Sequence, residues 1–285
     1  MKFLVLFALF VASASASQDE PLHGIATPEQ MRDMLFGRII QGWAAVNGQF
    51  PHQAFLISSN SAGNSAACGG SLISNRWVVT AAHCLYQRVS AQVHLGNVAY
   101  ASSPIKITSR NLYVHPSYNP SNLNNDIALI DLGQTVSTTA NIRPIRIVNS
   151  QSDLHTGKVS IVSGFGLTSN SGSVSSTLNF VNLTVIANTV CAQTYGSSVV
   201  ISSTICGNGI LSGAQGSCSG DSGGPLILRG ASEDILIGVV SFGSSAGCTA
   251  NVPSGFVRPN FFTSWITSVS GISFTSDADS LDTEY

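Results

Sequence analysis

The segment Gly220-Asp221-Ser222-Gly223-Gly224-Pro225 sets a hydroxyl among glycines with a carboxylate beside it. Glycine lets the backbone turn tightly and brings its N–H groups close to a substrate carbonyl. A serine hydroxyl is a poor nucleophile at neutral pH. A hydrolase that uses one therefore holds a neutral imidazole beside it and a carboxylate behind the imidazole. Outward from Ser222, Thr80-Ala81-Ala82-His83-Cys84 offers the imidazole at the end of the apolar run Trp77-Val78-Val79, which places His83 at a strand terminus. Asp126 offers the carboxylate directly before Ile127-Ala128-Leu129-Ile130, a buried-strand pattern, and so at the edge of a core.

The remainder of the chain between Gln41 and about Gly255 repeats this texture. Short apolar runs such as Val159-Ser160-Ile161-Val162 and Ile235 to Val240 are broken by Gly, Ser, Asn and Pro, which predicts an all-β sandwich or barrel. Only the end looks helical: Phe261, Phe262, Trp265, Ile266 and Val269 fall on one helical face, predicting a terminal helix packed on the β body.

With 285 residues, 44% of them apolar, the chain can bury a sizeable core as one large domain or two small ones. Charged residues make up 9% and Lys and Arg form no cluster, which argues against nucleic acid or an acidic membrane surface as a partner. The longest apolar stretch, Phe3 to Val11, is far below the roughly 20 residues that span a bilayer, so no transmembrane helix is expected. It follows Lys2 and leads into Ala14-Ser15-Ala16, the layout of a signal peptide over residues 1–16, and implies a secreted protein. Residues 17–38 form a polar leader ending at Arg38, before Ile39-Ile40-Gln41-Gly42. At the other end, residues 271–285 form a tail carrying Asp277, Asp279, Asp282 and Glu284 and expected to be disordered.

Cys68, Cys84, Cys191, Cys206, Cys218 and Cys248 are an even set in an exported chain, which favours three disulfides while leaving their pairing open. No Cys-x2-Cys pair occurs and only Cys84 has a histidine beside it, which argues against structural zinc.

Taken singly, a serine is a turn residue, a histidine a surface or core residue, an aspartate a cap. In combination the three segments resemble the signature segments of the chymotrypsin-like serine proteases, in the order His, Asp, Ser and at similar separations; the chain looks similar to arthropod chymotrypsins and brachyurin-type collagenolytic proteases. The resemblance covers residues 39 to about 270. It implies two packed antiparallel six-stranded β-barrels with a C-terminal helix, divided near residues 145–155, with His83 and Asp126 on the first barrel, Ser222 on the second and the cleft between. It implies pairing of Cys68 with Cys84, Cys191 with Cys206 and Cys218 with Cys248. In the implied mechanism Ser222 attacks the scissile carbonyl, His83 takes and returns the proton, Asp126 holds the imidazole, and the N–H groups of Gly220 and Ser222 form the oxyanion hole. Arg38-Ile39 matches the family's activation site, implying a zymogen. Cleavage there frees an α-ammonium that can pair with Asp221, whose carboxylate would be costly to bury unpaired.

Aligned through Ser222, the bottom of the specificity pocket falls at Gly216, an aspartate in trypsin-like relatives, and its walls at Ser217, Ser241-Phe242-Gly243 and Ser254. Without a carboxylate, a Lys or Arg side chain would be left unpaired, so a neutral pocket for large apolar or aromatic side chains is expected, with elastase-like or collagenolytic action as the alternative. Phe242 stands where the family usually has Trp. No Asp or Glu lies between Leu85 and Asn125, so no calcium site is expected there, and no other metal or cofactor. Asn182-Leu183-Thr184 is a glycosylation acceptor in a strand-like context, and His23, His52, His94, His115 and His155 read as structural or surface.

The expected partners are protein or peptide substrates, a trypsin-like activating protease and protein protease inhibitors, around a monomeric enzyme of digestive type that acts in a gut lumen. A cascade protease is disfavoured because the leader has no cysteine and the pocket no acid; a non-catalytic homologue is disfavoured because all three triad members are present. Activity is expected to fall in acid, since His83 must be neutral to accept a proton.

Overall fold

The computed structural model describes residues 42–150, 154–167, 173–210, 216–244, 248, 250 and 252–274. The signal peptide, the leader with His23, Arg38 and Ile39, and the acidic residues of the tail lie outside the described residues.

After β1 (Trp43–Ala44), the first half folds as β2 (Gln53–Ser59), β3 (Ser65–Leu72), β4 (Trp77–Thr80), β5 (Ser90–Leu95), β6 (Ile105–Ser109), β7 (Asn111–Val114) and β8 (Ala128–Asp131). They form one antiparallel sheet in the order β6-β5-β2-β3-β4-β8-β7. Its two edges, β6 and β7, are consecutive and interrupted only at Arg110. One bent stretch therefore pairs with β5 on one side and β8 on the other and curls the sheet into a barrel of six, leaving no long open edge.

The second half contains β9 (Val159–Gly164), β10 (Asn179–Ile186), β11 (Thr204–Gly209), β12 (Pro225–Leu228), β13 (Ile235–Phe242) and β14 (Ser254–Val257). Their order is β10-β11-β14-β13-β12-β9, closed by pairing of β9 with β10, while β1 adds outside β10. The expected pair of six-stranded barrels with a C-terminal helix is thus the observed architecture.

Burial explains the two apolar patterns. β4 and β8 are buried along their whole length and so read as continuous apolar runs. β10 alternates, with Val181, Leu183 and Val185 inward and Phe180, Asn182 and Thr184 half-exposed outward; the acceptor Asn182 therefore lies mid-strand. Val162, Val181, Leu183, Ile205, Leu226, Val240 and Phe256 fill the second barrel. The first barrel's core runs on through Phe165, Leu236, Val239 and Val257 into the contact between the barrels. There Ser163 Oγ donates to Gln53 Oε1 at 2.7 Å and Phe55 meets the edge of Phe165 at 5.2 Å.

The helical period begins at Phe261, but Pro259–Phe262 forms a tight 3₁₀ turn and the helix proper covers Thr263–Ser270. Pro259 explains the turn: its fixed φ suits a first helical position and it has no N–H to contribute. Phe262 and Trp265 close on His115 of the first barrel with centroids 5.1 and 4.9 Å away.

His52 is the buried histidine with acid–base consequences. It is fully enclosed, its Nε2 has no partner among the described residues, and burial first and Arg229 second push its pKa down to about 3. An unfolded chain takes up this proton below its ordinary value near 6.5, whereas the folded chain refuses it until about pH 3. Stability from this group is therefore complete above pH 6.5 and drains away as pH falls, by up to about 5 kcal/mol. His52→Phe is expected to flatten this acid limb of a Tm-versus-pH curve; an unchanged limb would contradict the assignment.

Candidate active site

Three disulfides pin the walls of the cleft: Cys68–Cys84, Cys191–Cys206 and Cys218–Cys248. β4 stops at Thr80, and His83 lies on the short helix α1 (Ala82–Leu85) that follows, one turn beyond the strand end where the sequence pattern puts it. The turn forms because Cys84 is tied back to Cys68 on β3 and its N–H bonds Ala81 O.

Asp126 is fully buried at the entrance to β8. Its Oδ1 accepts the His83 backbone N–H at 2.8 Å, and its Oδ2 takes both His83 Nδ1 at 2.7 Å and the Ser241 hydroxyl at 2.6 Å. The carboxylate thus fixes the imidazole through its ring and its backbone, with Nδ1 toward Asp126 and the opposite nitrogen directed away. The Ser241 bond crosses from the second barrel. Ser241 can make it because the pairing of β13 with β14 slips between Val240 and Phe242, a bulge that turns this side chain out of the barrel. Sequence reasoning placed Ser241 in the pocket wall and missed this bond; a lone hydroxyl at the end of the apolar run Ile235 to Val240 was the available signal. Nearby Tyr118 is held neutral, its pKa pushed up to about 12 by burial first and then by Asp126 and Tyr86.

Ser222 is delivered by the loop before β12. Its carbonyl accepts the Gly69 N–H across the cleft at 2.7 Å and lies 3.5 Å from Cys84 Sγ, next to His83. No hydrogen bond joins the Ser222 hydroxyl to His83 among the described residues; such bonds commonly tighten only with substrate in place. Gly220 has φ +97°, a conformation that side chains resist, and among the described residues neither its N–H nor that of Ser222 donates to a carbonyl. Among the described residues both amides are left without a carbonyl partner, an arrangement that an oxyanion needs.

Asp221 points the other way, into the protein. It is completely buried, with Oδ1 accepting Gly166 N–H at 2.7 Å and Oδ2 accepting Cys218 N–H at 2.8 Å. Burial raises its pKa to about 6 against the opposing pull of the two N–H groups, and no cation pairs with it among the described residues.

Beside Ser222 opens a cavity of about 140 Å³ lined by Ser217, Ser219, Ser241, Phe242, Gly243 and the Cys218–Cys248 disulfide, among others, with no ionisable side chain among the described residues that line it. Ser254 stands behind this lining, its hydroxyl accepting Ser217 N–H at 3.1 Å and facing Gly216. The one group with metal-ligand geometry among the described residues is Cys68, His83 and Cys84, whose two sulfurs are already bonded to each other. His94 is held by Tyr100 O and Gln92.

Comparison with known proteins gives a single direction. The family described as Trypsin matches residues 39–266. The chain is similar to the collagenase of Hypoderma lineatum, 39% identical over 96% of this chain and 100% of that protein, and to the brachyurin of Leptuca pugilator, 37% identical over 82% and 99%. Among solved structures, HL collagenase superposes with TM-score 0.76 at 38% identity, covering 83% of this chain and 100% of that one.

Proposed function

The chain belongs to the trypsin family of serine proteases and is a serine endopeptidase, and we propose that it works through Ser222, His83 and Asp126. The observation that carries this reading is the double grip of Asp126 on His83, completed from the second barrel by Ser241, beside a serine whose loop is tied across the cleft. In it, the Ser222 oxygen attacks the scissile carbonyl while His83 Nε2 takes its proton, and the oxyanion settles on the Gly220 and Ser222 amides. As the C–N bond breaks, His83 returns the proton to the departing amine. A water molecule, deprotonated by the same nitrogen, then releases the acyl group from Ser222. Asp126 stabilises the imidazolium at each stage.

The neutral cavity supports cleavage after large apolar or aromatic residues. Its volume is close to the ~150 Å³ of an apolar cavity that holds a benzene ring. An unpaired Lys or Arg charge would find no carboxylate among the described residues that line the cavity. Collagen is the second candidate substrate, on the likeness to the collagenase of Hypoderma lineatum. Activation by a trypsin-like protease cutting after Arg38, with the Ile39 ammonium pairing with Asp221, belongs to the same proposal. So do removal of residues 1–16, a digestive role in a lumen, monomeric action and restraint by protein inhibitors. The three disulfides fit an oxidising, extracellular setting.

The test is a profile of the cleaved enzyme on peptides differing only at the residue before the scissile bond. Phe, Tyr or Leu is expected to exceed Arg and Lys by at least about a hundredfold in kcat/KM. Gly216→Asp, after a small shift of the Ser254 hydroxyl that a β-carbon would meet at 2.8 Å, is expected to raise the Arg-to-Phe ratio at least about tenfold. Preference of the unaltered enzyme for Arg would overturn the pocket reading; preference for Ala over Phe would make it elastase-like.

A further inference from the structure

Gly255 lies in the middle of β14, hydrogen-bonded between β11 and β13, where glycine is unfavourable because it loses chain entropy and packs nothing. Its φ is not left-handed, so the backbone does not call for glycine. The reason is a neighbour. A β-carbon on Gly255 would fall inside the edge of the Phe242 ring, against Cε2, Cζ and Cδ2, and no other residue supplies its nearest contacts. The ring occupies the volume in which a residue-255 side chain would stand. Tyr195, the last residue of α2 (Asn188–Tyr195), meets the ring edge-on at 5.0 Å and 74°, and its hydroxyl donates to Pro253 O, just before Ser254. Phe242 also lines the cavity beside Ser222, between Ser241 and Gly243.

From this packing we infer that Gly255 is a specificity-determining positioning residue: it lets the Phe242 ring sit back into the wall, with Tyr195 bracing it, and so keeps the pocket open to large side chains. The inference rests on the peptidase reading of the cavity above. It makes the phenylalanine at 242 and the glycine at 255 one unit, since any side chain at 255 must displace the ring that lines the cavity.

The experiment compares unaltered, Gly255→Ala, Phe242→Leu and doubly substituted enzymes, each cleaved after Arg38 and checked by thermal unfolding, on matched peptides with Ala or Phe before the scissile bond. For Gly255→Ala, kcat/KM on the Phe peptide is expected to fall about tenfold through KM, with kcat held and the Ala peptide changed by less than about twofold. Adding Phe242→Leu to Gly255→Ala is expected to bring the Phe-to-Ala ratio back to that of Phe242→Leu alone. Equal losses on both peptides, or a ratio that the second substitution does not rescue, overturns the inference. If Gly255→Ala alone fails to fold while the double variant folds, the clash is supported; failure of both overturns it. The readout is a change in ratio between variants, so it survives an unaltered enzyme that prefers Ala, an outcome that sinks the aromatic-specificity proposal instead.

Discussion

Ser222→Ala is expected to lower kcat by about a millionfold without shifting thermal unfolding, because triad members act as a unit and the loss of one forfeits nearly the whole covalent route. The loop around residue 222 is held by main-chain bonds, from Gly69 N–H to Ser222 O, from Asp221 N–H to Cys218 O and from Gly223 N–H to Val240 O, none of which uses the hydroxyl. His83→Ala is expected to cost about as much, and the double variant hardly more than either single one, since both remove the same step. Single-turnover kinetics on an ester and a peptide substrate check this. Losses that multiply would mean that the two residues act in separate steps.

Asp221→Asn is expected to act with opposite signs before and after cleavage. In the uncleaved chain the buried carboxyl has its pKa raised to about 6, against 3.8 when unfolded. The folded state therefore binds this proton more tightly: relative to the protonated carboxyl the group costs nothing below about pH 4, and a cost of about 3 kcal/mol builds up as pH rises through about 6 and persists above it. Replacing it with a neutral amide removes the buried charge, but only the amide oxygen can accept, so one of the Gly166 and Cys218 N–H groups is left facing an NH2 at a cost of about 1–3 kcal/mol; Tm of the uncleaved chain at pH 8 is expected to rise by less than the about 6–12 °C that relief of the charge alone would give. After cleavage at Arg38 the arriving ammonium needs the carboxylate. Stranding one partner of a buried pair costs about 3–5 kcal/mol, so activity is expected to fall about 10²- to 10³-fold. A variant that is neither stabilised before cleavage nor impaired after it would contradict the proposed pairing. In the uncleaved chain the Asp221 contribution opposes the His52 one between about pH 4 and 6, and the two single variants separate them.

Much of the fold was legible because barrel strands announce themselves locally: Trp77 to Val79, Val159 to Val162 and Ile235 to Val240 all became strands, and Ile127 to Ile130 did so from Ala128. Segments that carry chemistry were legible for the same reason, each being contiguous around His83, Asp126 or Ser222. What stayed hidden depends on register or on space. The bend at Arg110 that lets one stretch serve two sheet edges is a tertiary event without a glycine or proline to mark it. The bond from Ser241 to Asp126 needs a bulge that pairing alone creates. Nothing in the sequence around Gly255 marks it, because its reason is the space that the Phe242 ring takes up beside it. His52, whose Nε2 has no partner among the described residues, was one of several histidines without a motif, and only burial distinguishes it.

The most direct measurement is titration with a serine-directed phosphonate before and after cleavage at Arg38, with the labelled residue located by peptide mapping. Little labelling of the intact chain is expected and, once it is cleaved, close to one equivalent, all on Ser222 and matched by complete loss of peptidase activity. Cleaved enzyme that hydrolyses peptides while Ser222 stays unlabelled would contradict Ser222 as the nucleophile.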